Sequence, residues 1–128
     1  MISDDLHNLL SLLAATIFAD KRVFATEVET FLNTADNIKQ ISHRDESISE
    51  AKLLSWFDSN ADSLRAKLQT SHFEYWFYEC LNKLDGLCDK QAMVNLMDKI
   101  AKSDEEFHVS EKALIVLTAK HWDCEYQL

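Results

Sequence analysis

One glycine and not a single proline in 128 residues is the feature that most narrows what this chain can fold into. Tight hairpins need positive φ at their turn residues, which glycine supplies and other residues resist. A chain whose sole glycine is Gly86 therefore has little means of building them, whereas long helices suit it well. The expected class is all-α. At this length residues 1–128 form one domain, with a single core that needs no disulfide or metal to hold it.

Charge narrows the partners. Thirteen basic against twenty-two acidic side chains leave a formal charge of −9. Such a surface repels phosphate backbones and anionic membranes within a Debye length of about 8–10 Å, so nucleic acid is not an expected partner. The apolar run "LLSLLAATIFA", Leu9 to Ala19, is eleven residues long, against about 20 for a bilayer span. Asp4 and Asp5 precede it where a signal peptide would be positive, so it reads as a core helix with no direct membrane insertion. Cys80, Cys88 and Cys124 are odd in number and lack a CxxC pair, which fits reduced cytoplasmic thiols acting as small buried hydrophobes.

Hydrophobic periodicity predicts about seven helices. Leu6, Leu9, Leu10, Leu13, Ala14 and Ile17 form the stripe of the first, capped by Ser3. Val28, Phe31, Leu32, Ala35 and Ile38 carry the second, which gives way to the polar loop "SHRDES". Ser47 and Glu50 make a capping box ahead of Leu53, Leu54 and Phe57, and a separate short helix follows from about Asp62 to Leu68. A second box, Ser71 with Glu74, opens the stripe Phe73, Trp76, Phe77, Cys80, Leu81 and Leu84, which stops near Gly86. Tyr75 and Tyr78 lie off that stripe and either fill a second buried face or stay available to a partner, with central burial of the helix the expected outcome. Asp89 caps a helix that turns Met93, Leu96, Met97 and Ile100 inward, and the last runs from about Val109 to His121 with Ala113, Val116 and Leu117 as its stripe.

An internal repeat carries the functional reading. With Asp20 placed on Asp104, "ADKRVFATE" matches "SDEEFHVSE": an apolar residue three positions after the aspartate, a hydroxyl at six and a glutamate at seven. Leu12 and Leu13 fall on Leu96 and Met97, and Leu32 falls on Val116, so each copy is helix, acidic turn, helix. On these residues the chain resembles the tellurite-resistance TerB-like family, whose hallmark is a twice-occurring turn, usually Asp-Gly-x-apolar-x-x-x-Glu. The resemblance implies a bundle with two pseudo-repeated helix-turn-helix pairs and a bacterial cytoplasmic setting. It also implies a part in stress responses that include toxic-oxyanion tolerance, and divalent metal binding by the acidic turns.

Two roles compete for Asp20, Glu27, Asp104 and Glu111. As oxygen ligands, brought together by the pseudo-twofold, they suit a hard cation such as calcium or magnesium, with zinc as the softer option. As helix-start residues, the aspartates bond turn amides and the glutamates answer free N–H groups and the helix dipole. Lys21 and Glu105 stand where the family usually has glycine, and Lys21 and Arg22 place cations beside Asp20. A functional turn is thus expected in the second copy, where Glu105 and Glu106 add acid to Asp104 and Glu111. His121, Asp123 and Cys124 in the tail lack a second cluster at zinc spacing. No GxSxG, Gly-rich phosphate loop or HExxH is present. The expected function is an interaction module with a protein partner, and the alternative is a small metal-dependent enzyme.

Overall fold

A computed structural model of the chain describes residues 2–19, 25–42, 47–103 and 109–126. Among these the fold is all-helical: α1 (Asp4–Phe18), α2 (Ala25–Asn33), α3 (Ile38–Ile41), α4 (Glu50–Leu68), α5 (Phe73–Lys83), α6 (Lys90–Ala101) and α7 (Val109–His121). Six of them pack the bundle. The four-residue α3 only prolongs α2 across a 3₁₀ turn, Thr34–Asn37. At that turn the Thr34 hydroxyl donates to the Phe31 carbonyl at 2.6 Å, the kind of local bond by which Thr competes with a regular helix.

Two starts agree with their sequence signals. Ser3 accepts from Leu6 N at 3.1 Å and Asp89 from Ala92 N at 3.1 Å, each meeting a donor that the helix itself cannot. Two do not. The cap of α4 is Ser49, accepting from Lys52 N at 3.2 Å, because Ile48 is drawn into the core and leaves Ser47 exposed and too early in the chain. α5 begins after His72 with no side-chain cap, which leaves Ser71 one residue outside the cap position. The expected break between Phe57 and Asp62 is also absent. α4 runs through it unbroken, with Asn60 Nδ2 bonded back to the Trp56 carbonyl at 2.8 Å and Leu64 buried beyond.

α1 is more than the one-sided helix its stripe suggests. Every residue from Leu9 to Phe18 is buried, and α2, α4, α5, α6 and α7 all pack against it. The inner faces of its neighbours then follow from which side meets α1. Phe77, Cys80, Leu81 and Leu84 of the α5 stripe are buried, as are Met93, Met97 and Ile100 of α6.

The repeat has a structural counterpart. α1–α2 corresponds to α6–α7, and equivalent positions are buried in both copies: Leu9 and Met93, Leu10 and Val94, Leu13 and Met97, Phe31 and Ile115, Thr34 and Thr118. Packing between the copies is reciprocal, since α2 lies on α6 while α7 lies on α1. The end of α3 is tied to the start of α6 by Asp89 N bonded to the Ile41 carbonyl at 2.8 Å, beside an isolated antiparallel bridge between Ser42 and Cys88.

Candidate functional site

Glu27 and Glu111 are each the third residue of their helix, α2 and α7, and each is 0% exposed. Glu27 heads the buried line Glu27, Phe31, Thr34, Ile38 and Ile41. The apolar residues Val28, Leu32 and Ala35, expected to lead that face, sit at its margins, half-buried. Glu111 heads the equivalent line in α7. The first turn of a helix presents free N–H groups and the positive end of the dipole, so a carboxylate there is electrostatically favoured. Full enclosure is a separate matter, because an ionised carboxylate taken out of water is strongly destabilised unless donors or a cation compensate it. The two glutamates are thus enclosed at matching positions of the two copies, where a helix start favours a carboxylate.

Asp20 and Asp104, the other half of the expected ligand set, lie outside the described residues, as do Lys21, Arg22, Glu105, Glu106 and His108. Among the described residues no three His, Cys, Asp or Glu side chains gather at metal-binding distance. The described structure therefore contributes two carboxylates, and a fuller oxygen set requires the turn aspartates. Thr16 is an oxygen that sequence reasoning missed. It is fully buried, four positions before Asp20 in the sequence, its hydroxyl has no hydrogen-bond partner among the described residues, and the second copy has Ile100 in its place. Nothing in the sequence distinguishes it from a core threonine.

In the tail, the His121 ring bonds Asn82 at 2.8 Å and lies 5.0 Å from the Tyr78 ring, while the Cys124 thiol contacts the Trp122 carbonyl at 3.8 Å. Burial pushes the thiols of Cys80 and Cys88 up to about 11 and about 12, so both stay protonated and unreactive at neutral pH.

A second surface lies between α5 and α7. Tyr75 is 77% exposed and Tyr78 37%, so the expected central burial of α5 does not extend to them. α7 is also rotated from its expected orientation. Glu111, Leu114, Ile115, Thr118, Ala119 and Trp122 face inward, leaving Ala113 exposed and Val116 and Leu117 half-exposed. With Tyr78, Lys120 and His121 these residues line a shallow groove of about 610 Å³. A cavity of about 320 Å³ continues it past Ala113 and Leu117 to Phe73, Leu68 and Glu74. A separate cleft of about 580 Å³ between the starts of α1 and α4 presents Ser3, Ser55, Lys52 and Trp56, with no carboxylate or imidazole in its lining. No helix among the described residues is long and apolar enough to cross a membrane.

Compared with protein-family models, curated proteins and solved structures, the chain matches none.

Proposed function

We propose that this chain is a TerB-like interaction module of a bacterial cytoplasmic stress system, engaging a protein partner, and that its paired acidic turns take up a divalent cation. Asp20, Glu27, Asp104 and Glu111 would hold the ion. Carboxylate oxygens suit calcium or magnesium, which would neutralise the acidic turns and stiffen the junctions between α1 and α2 and between α6 and α7. The observation that carries this reading is the complete enclosure of Glu27 and Glu111 at matching positions of the two copies. Helix starting alone would be served equally well by glutamates at the surface.

Thermal unfolding with added calcium, magnesium, manganese or zinc tests it. A cation that binds only the folded chain stabilises it by about 2.7 kcal/mol at one hundred times its Kd, a rise in Tm on the order of 10 °C for a domain of this size. The rise should disappear in an Asp104→Asn, Glu111→Gln double variant. A flat response to all four ions, or an equal rise in the double variant, would sink the metal reading.

A further inference from the structure

The geometry points to the α5–α7 groove as the docking site for an amphipathic helix of a partner protein, one that carries acidic residues in its last turn. The floor is apolar and belongs to α7: Ala113 is exposed, and Val116 and Leu117 are half-exposed beside it. Such a strip, flanked by a tyrosine, suits the i, i+3, i+4, i+7 anchors of an amphipathic helix. From Ala113 to His121 it is about 12 Å long at 1.5 Å per residue, two turns of a bound helix, and the Phe73 cavity extends it further.

Charge selects the occupant and its direction. In a chain of net charge −9, the described lining of the groove holds no carboxylate, and Lys120 stands at one end with the His121 ring beside it. Glu74 stands at the other end. A bound helix that places its C-terminal turn, with its negative dipole end and acidic side chains, by Lys120 and His121 would place its positive N-terminus by Glu74. The groove walls are fixed in that sense, since Asn82 and His121 meet at the ends of α5 and α7 while Phe73 and Leu114 share a cavity near their starts.

This inference rests on the reading of the chain as an interaction module but on none of its acidic-turn residues. Peptides of about fourteen residues, four helical turns, randomised on one face and displayed on phage, would be selected against the full chain. Enrichment of bulky apolar residues at i, i+4 and i+7 together with Asp or Glu in the last turn is expected. A synthetic winner should shift the amide resonances of Ala113, Leu117 and Lys120. Lys120 is exposed, so Lys120→Glu keeps the fold and should weaken the winner about fivefold, an effect reversed by a peptide with lysine in that turn. Absence of enrichment, enrichment without the acidic turn, or shifts on another face would overturn the inference. So would a concentration-dependent dimer broken by Val116→Glu, which would assign the groove to a second copy. A flat metal titration with successful selection leaves the module reading intact and removes only the metal. The reverse pair of results removes only the groove.

Discussion

Trp56 donates its indole N–H to Nδ1 of His7 at 3.0 Å, with the two rings meeting edge-on at 5.7 Å, and so joins α4 to α1. A ring nitrogen that accepts is an unprotonated one. Burial first, then the Lys67 charge, holds the His7 pKa below its ordinary 6.5. As pH falls, the unfolded chain therefore binds the proton before the folded one, and the stability this group contributes is complete above 6.5 and lost on descent through its lowered folded value. Melting temperatures between about pH 7.5 and pH 5 should fall more steeply for the native chain than for His7→Asn, which can still accept a bond but does not titrate. Equal slopes would show that His7 is not the group responsible. At this scale the sequence was least legible. Glu is almost never fully enclosed as a rule, so the sequence did not mark Glu27 and Glu111 for burial, and only their alignment in the repeat set them apart. His7 gave no signal, because its partner Trp56 is distant in the chain and brought near only by the packing of two helices.

Helix starts were legible at Ser3 and Asp89 and misread at Ser47 and Ser71, each of which lies ahead of the true cap position. Ser3 and Asp89 are lone cap candidates and both cap their helices. In "SISE" two serines compete, and burial of Ile48 settles the choice on Ser49. Ser49→Ala should therefore lower stability by about 1 kcal/mol in urea unfolding, and Ser47→Ala by less than about 0.5 kcal/mol. The opposite ranking would return the helix start to Ser47. α7 failed for a different reason. "ALIVLTA" is apolar on every side, so periodicity has no preferred direction to report, and the face that turns inward is decided by what α1 and α6 present to it. The tyrosines of α5 show the converse. Their place off the stripe was visible, but the absence of a covering element over them is a property of the assembled bundle.

Across the whole molecule the all-α class followed from the absence of proline and the single glycine, and the pairing of α1–α2 with α6–α7 followed from the repeat. The closing of the chain did not. Beyond α7 the tail returns across α6, where Gln91 exchanges bonds with the Glu125 backbone at 3.0 and 3.2 Å and the Tyr126 hydroxyl donates to Asp98 at 2.7 Å. That bond holds the Tyr126 phenol above its ordinary range, after burial as the larger cause. Tyr126→Phe should cost about 1 kcal/mol and about 4 °C in Tm, and an unchanged Tm would mean the tail hydroxyl is idle. The enclosure of α1 bears on how the protein is made. α1 is synthesised before every helix that covers it: at about 5–20 residues per second, its ten buried residues from Leu9 to Phe18 wait several seconds for α7. Until its covering helices emerge, the apolar faces of α1 lack their partners, so a stall in translation before α6 should favour aggregation.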